Sequence, residues 1–356
     1  MTRIRKGIPA VALAGGLVVG GGAMDHVAAA ATGYTLEPLN LNLVDSTPNL
    51  FDGAVCEVYD CAKVPTPASL DLSHVDGVFG ENGPISTGAA TLNDVLLADP
   101  GEKLVLGFSQ GAQVGGFWLR NYASTTSVDR ETTSFLFVGD PENTYGVPWA
   151  PKVPTGTGFA VTEVWSQYDG WADWPARFDV VAIANAIAGM FLVHPVVYDT
   201  MDLAAEEADG NLVMWQGADG NDTGSNRTGI NYTMVRNDRL PLLDPLRWVG
   251  LGAVAESLDA PLRAQIESAY DRPSTQAQAD AGFDAQPTPA AARVVLPKAE
   301  KTAVRALASD PTSRRRDTAA SAPSATVSPG RTPARSRLGS TAVSIRTTTA
   351  PKRARD

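Results

Sequence analysis

Lys103-Leu104-Val105-Leu106-Gly107-Phe108-Ser109-Gln110-Gly111-Ala112-Gln113-Val114 is the stretch from which the rest of the chain can be read. Its first six residues form a short apolar run of strand length. From Gln110 to Tyr122, apolar residues at Ala112, Val114, Phe117 and Leu119 suit a helix. Between the two lies Gly107-Phe108-Ser109-Gln110-Gly111, a G-x-S-x-G pentapeptide. In a chain with 33 glycines that pattern alone says little; a strand before it and a helix after it make it informative. In that setting the serine occupies a strained strand-to-helix turn, and the flanking glycines remove Cβ atoms that would clash there. The hydroxyl then stands clear of the backbone, and the Gln110 amide N–H faces the place where an oxyanion would form.

Working outward, residues 87–98 read as a helix closed by Asp99-Pro100-Gly101. Ser134 to Val138 and Ala160 to Trp165 are apolar strands, followed by Asp140 and Asp169 respectively. Phe178 to Leu192 is helical and apolar on nearly all sides, which predicts a buried helix. Beyond residue 210, a polar stretch from Gly217 to Gly229 separates two β-like pieces; Leu240 to Leu246 and a helix over Leu262 to Tyr270 close the globular part. Residues 33–75 carry short apolar pieces with no strong period. Strands alternating with helices predict an α/β fold with a mainly parallel central sheet flanked by helices. Trp149, Trp165, Trp171 and Trp174 are expected in the core or in a pocket wall.

An ordinary serine is a poor nucleophile and needs a base. The chain has three histidines, His26, His74 and His194. His26 lies in an export-type leader and His74 precedes the serine, whereas hydrolases with this turn run serine, acid, histidine along the chain. His194 is therefore the expected base. Asp169, in a loop beyond the second strand past the serine and just before Gly170, is the preferred acid. Asp173 and Asp140 are the alternatives, the Gly-Asp-Pro setting of Asp140 being suited to a turn.

The two ends differ from the body. Arg3, Arg5 and Lys6, an uncharged small and apolar run from Gly7 to Met24, and Ala28 to Ala31 read as a signal peptide over residues 1–31. Residues 272–356, poor in aromatics and rich in Pro, Ala, Ser, Thr and Arg, read as a disordered basic tail. Residues 291–356 carry a net charge of +10 and residues 1–290 one of −20. So acidic a body excludes nucleic acid as its ligand. Arg314-Arg315-Arg316 and Lys352-Arg353 suit anionic envelope surfaces, a plain solvated extension being the alternative. Export places Cys56 and Cys61, the two cysteines, in an oxidising setting where they should pair. The cysteine and histidine spacing matches no metal site, and no motif calls for a cofactor.

Beyond the pentapeptide, the sequence carries Val138-Gly139-Asp140-Pro141, Tyr168-Asp169-Gly170-Trp171-Ala172-Asp173-Trp174-Pro175, an apolar helix ending at Val193-His194, and Leu240-Pro241-Leu242-Leu243-Asp244-Pro245-Leu246-Arg247. These pieces resemble the mycobacterial PE-PPE domain family, a cutinase-like branch of the α/β-hydrolases, over about residues 85–270. The resemblance implies a serine hydrolase of acyl esters, with Ser109, Asp169 and His194 in the triad positions. It also implies, as alternatives, acyl transfer between cell-envelope glycolipids or a non-catalytic envelope-binding protein on the same fold. The glycine- and threonine-rich segment of the family, which bears on a second oxyanion donor, is matched in part by Ser46-Thr47-Pro48 and by Pro65-Thr66-Pro67. The expected place of action is outside the cell or on its envelope.

Overall fold

The computed structural model describes residues 31–70, 83–217 and 229–282. The expected signal peptide, His26 and His74 lie outside the described residues, as do residues 283–356 of the expected tail.

Seven strands form one sheet: β1 (Thr32–Leu36), β2 (Asp60–Lys63), β3 (Lys103–Phe108), β4 (Thr133–Val138), β5 (Ala160–Ser166), β6 (Leu212–Gln216) and β7 (Ile230–Val235). Their order is β2-β1-β3-β4-β5-β7-β6, with every pair parallel except β6 and β7. The helices are α1 (Ala54–Val58), α2 (Pro84–Ala98), α3 (Gln110–Asn121), α4 (Val180–Leu192), α5 (Leu203–Ala208), α6 (Asp244–Trp248), α7 (Gly252–Glu267) and α8 (Gln276–Asp280). The predicted α/β architecture is the one observed.

The central strands are buried on both faces, as parallel strands must be when helices cover the sheet. Val105, Phe135, Phe137, Val161 and Trp165 point to one face, where they join Ala112, Val114, Phe117 and Trp118 of α3 and Ile85, Leu92 and Leu96 of α2. Leu104, Leu106, Leu136, Val138 and Val164 point to the other, against Leu50, Phe51, Tyr198 and Met201. A third apolar cluster joins Tyr168 and Ala182 to Leu243, Ala255, Ile266 and Tyr270 beneath α4 and α7.

Two expectations need correction. Helix α4 is not buried all round: Val180, Ile187 and Phe191 are 67%, 46% and 70% exposed. Its inward face is made of Ala182, Asn185, Ala186 and Gly189, small enough for the helix to come very close to the loop below it. Small size, rather than hydrophobicity, selects which side faces in. The ordered chain also continues past residue 271. Arg272 is buried and α8 follows it, with Gln276 bonding both the N–H and the C=O of Met214 (2.8 and 2.9 Å) on β6. The expected cysteine pair is formed, joining α1 to β2 through Cys56–Cys61.

Candidate active site

From β1 the chain runs outward to β2, then returns to β3 and proceeds the other way through β4 and β5. The sheet therefore has its switch point between β1 and β3, and open α/β sheets hold their ligands in the crevice at the carboxyl ends of such strands. Ser109 follows β3 at that spot.

Its backbone is strained, at φ 52° and ψ −115°. A non-glycine residue with positive φ is costly and persists where its surroundings enforce it. Here the Ser109 N–H donates to Val138 O (3.0 Å) on β4, and its carbonyl accepts from Gln113 N (3.2 Å) in α3. The flanking glycines are required by close approach. A Cβ on Gly107 would lie 2.7 Å from the Ala112 nitrogen, and one on Gly111 would collide with the Leu36 carbonyl of β1. The turn is thus clamped between β1, β4 and α3. Gln110 is the first residue of α3, so its N–H has no acceptor within the helix. Its side chain donates instead to Ser69 O (3.0 Å), which ties the turn to the neighbouring loop.

His194 and Asp169 meet the serine from the far side of the crevice. With its proton on Nδ1, the His194 ring donates to Asp169 Oδ2 at 2.8 Å, and Nε2 accepts the Ser109 hydroxyl at 2.9 Å. Asp169 is fully buried and His194 is 8% exposed, while Ser109 is partly open. Phe108 packs beside the imidazole at 5.2 Å and Trp171 at 6.4 Å between ring centres. Gly139 leaves room for this arrangement, since a Cβ there would lie 3.2 Å from both Asp169 Oδ2 and His194 Cε1.

Two close backbone contacts fix Asp169 and His194 relative to each other. A Cβ on Gly189 of α4 would strike the Tyr168 carbonyl, and one on Gly170 would strike the Ala186 carbonyl of α4. The loop carrying Asp169 and the helix delivering His194 therefore touch backbone to backbone.

The alternative acids have other partners. Asp173 is buried, bonds Arg272 twice at 2.7 Å, and accepts the Tyr168 N–H at 2.8 Å. Burial pushes its carboxyl up and the Arg272 guanidinium holds it down. Tyr168 itself has φ 67°, so the ion pair braces a strained residue next to Asp169. Asp140 accepts the Glu142 N–H at 2.9 Å in an Asx turn and sits in a buried cluster with Glu142, Glu163, Arg120 and Lys152. Of the two threonine segments, Ser46 and Thr47 turn their N–H groups to Glu37 Oε2 (2.9 and 3.4 Å), and the Thr47 hydroxyl donates to Leu36 O (2.9 Å). The Thr66 hydroxyl is buried without a hydrogen-bond partner among the described residues.

Sequence reasoning missed one residue. Tyr198, four positions after His194, is buried and donates its hydroxyl proton to Asp169 Oδ2 at 2.5 Å. A tyrosine four residues past a candidate base was the one available signal. Trp165 lies in the core, Trp171 by His194, and Trp149 is half exposed against Trp174. Among the described residues no group of histidine, cysteine and carboxylate side chains is arranged to hold a metal ion, and no helix is long and apolar enough to cross a membrane.

A mostly parallel sheet with its crevice at a strained serine turn defines the α/β-hydrolase class of fold. Within it, residues 59–271 match the PE-PPE domain, more than half of the chain, and the protein belongs to that family. Two relatives come from Mycobacterium tuberculosis. One, named esterase PE16, is 29% identical over 229 residues, covering 58% of this chain and 40% of that protein. The other, named uncharacterized PPE family protein PPE28, is 26% identical over 211 residues, covering 53% of this chain and 31% of its own length. The match thus spans less than half the length of either relative. No solved structure matches the chain.

Proposed function

We propose that this protein is a secreted serine esterase that cleaves acyl esters, lipid esters among them, through an acyl-enzyme on Ser109. The unbroken line of hydrogen bonds from Ser109 through His194 to Asp169 carries the reading. As Ser109 Oγ adds to the ester carbonyl, His194 Nε2 takes the hydroxyl proton. The oxyanion so formed is met by the Gln110 N–H at the positive end of α3. Asp169 keeps the imidazole in the productive tautomer and stabilises the imidazolium without accepting its proton. The intermediate collapses, and the alcohol departs with the proton from His194. A water molecule, deprotonated by the same ring, then adds to the acyl-enzyme. Collapse returns the proton to Ser109 and frees the acid.

The esterase named among the relatives supports ester substrates for this chain. The export-type leader and the Cys56–Cys61 bridge support action outside the cytoplasm, in the medium or on the envelope. Fractionation of producing cells tests that placement, and protein held in the cytoplasm would refute it.

The direct test is labelling by a fluorophosphonate probe together with hydrolysis of short- to medium-chain p-nitrophenyl esters. The parent protein should label and turn over; Ser109→Ala should do neither. His194→Ala should cost on the order of 10³-fold or more in kcat. A folded parent that neither labels nor hydrolyses would leave a non-catalytic binding protein. Product analysis with a disaccharide acceptor added reads how the acyl group divides between water and a sugar hydroxyl.

A further inference from the structure

We propose that Tyr198 is a positioning residue that competes with His194 for one oxygen of Asp169 and so sets the pH at which the imidazole can act as a base. The proposal rests on the catalytic reading of Ser109, His194 and Asp169 given above.

The Asp169 carboxylate is fully buried and receives three donors among the described residues. Oδ1 takes the Trp171 N–H at 3.1 Å. Oδ2 takes two, the His194 Nδ1–H at 2.8 Å and the Tyr198 hydroxyl at 2.5 Å. A carboxylate oxygen that already accepts a short charge-assisted bond has less electron density to offer a second donor. Tyr198 thus weakens the hold of Asp169 on the His194 ring, and that hold should tighten when the hydroxyl is removed.

The tyrosine is held for this task from both sides. Its oxygen accepts the Ser166 N–H at 3.1 Å, where β5 gives way to the Asp169 loop, so its own proton is left to point at the carboxylate. Its ring packs on Phe108 at 5.4 Å and edge-on to His194 at 6.3 Å. Burial, and then the Asp169 charge, push the phenol well above its ordinary range, so the proton stays on Tyr198 throughout the working range of pH. The other groups around the pair are accounted for. Phe108, Trp171 and Gly139 do not ionise, α4 carries no charged side chain, and Asp173 beneath the loop is neutralised by Arg272, which Glu267 also pairs.

The experiment is an NMR titration of the His194 ring in the whole chain, its signal assigned by absence in His194→Gln. Tyr198→Phe keeps the packed ring and removes only the hydroxyl. Relative to the parent, its His194 midpoint should rise by roughly half to one pH unit, the part felt at the imidazole of a lost hydrogen bond that is worth about one to two units at the carboxylate itself. The low-field Nδ1–H resonance should shift with it. Incorporation of 3,5-difluorotyrosine at 198, a more acidic and stronger donor, should move the midpoint down. In kinetics, the acid limb of kcat/KM should move with the midpoint while the plateau KM stays put. A midpoint unmoved by both changes, or moved alike by both, overturns the proposal even if activity is intact. A parent that turns over no ester while the opposed shifts are seen would instead count against the esterase reading and leave this one standing. Should Tyr198→Phe not fold, the fluorinated side chain alone decides.

Discussion

Around Ser109, individual side chains are selected by distance to backbone rather than by chemistry. Gly111 is the clearest case, because any Cβ there meets the Leu36 carbonyl, an atom fixed in the β1–β3 ladder. Gly111→Ala should therefore cost on the order of 3 kcal/mol in urea unfolding and disturb the serine turn. Gly252 gives the contrast: it starts α7, has open space around it and an ordinary backbone. Gly252→Ala should be neutral or add about 0.5–1 kcal/mol, the usual gain of alanine over glycine in a helix. Equal losses at both positions would refute the close-approach argument. These glycines could be read from sequence because the serine turn needs them wherever it occurs. Asp169 and Asp173 could not be told apart in that way. They share one loop, and what separates them is Arg272, a residue about a hundred positions later whose partner no local pattern reveals.

Among the elements, the segment that follows the last long helix has more to do than composition suggests. Asp173 and Arg272 are both fully buried, and removing one member of such a pair leaves a bare charge in the interior. A chain ending at residue 271 should lose on the order of 3–5 kcal/mol relative to one ending at 282, measured by thermal or urea unfolding. Equal stability would refute a bracing role for Arg272. The longer form also keeps Gln276, whose amide pairs with Met214 as a neighbouring strand would and closes the outer edge of β6. The expected boundary at residue 271 falls too early because the composition turns rich in Pro, Ala and Ser while the chain is still packed through α8. β1 and β2 escaped notice for the reverse reason, since four or five mixed residues flanked by turns show no period. In α4 the apolar count predicted burial, but the helix buries its smallest residues and leaves Phe191 and Ile187 outside.

In the molecule as a whole, one buried polar cluster makes stability depend on pH. Arg120 makes a two-pronged ion pair with Glu142, and the Lys152 ammonium bonds the carbonyls of Asn143, Gly146 and Val147 at 2.8–3.1 Å beside Asp140. Glu163 is left without a cation of its own. Burial, and then the Asp140 charge beside it, push its carboxyl well above the ordinary range, and burial pushes Asp140 to about 7. A carboxyl that binds its proton more tightly folded than unfolded contributes stability below its ordinary range near 4, and that contribution fades as pH climbs through the folded value. Melting temperature should therefore fall between about pH 4 and pH 7 and continue falling above it, and Glu163→Gln should flatten the decline. A parent profile that rises over that interval would refute the raised carboxyls. None of this was visible in the sequence, where Glu163 sits in an otherwise apolar strand and its neighbours arrive from three other segments. The sheet was more readily legible, because buried parallel strands announce themselves as apolar runs.

The backbone contact of Gly189 with Tyr168 and of Gly170 with Ala186 packs the Asp169 loop and the helix leading to His194 into one unit. That unit hangs from the sheet that carries Ser109, because the Asp169 N–H donates to Ser166 O (3.0 Å) at the end of β5 and the Gln167 N–H to Val235 O (2.8 Å) on β7. A displacement of α4 is therefore expected to carry the Asp169 loop with it rather than to part the carboxylate from the imidazole.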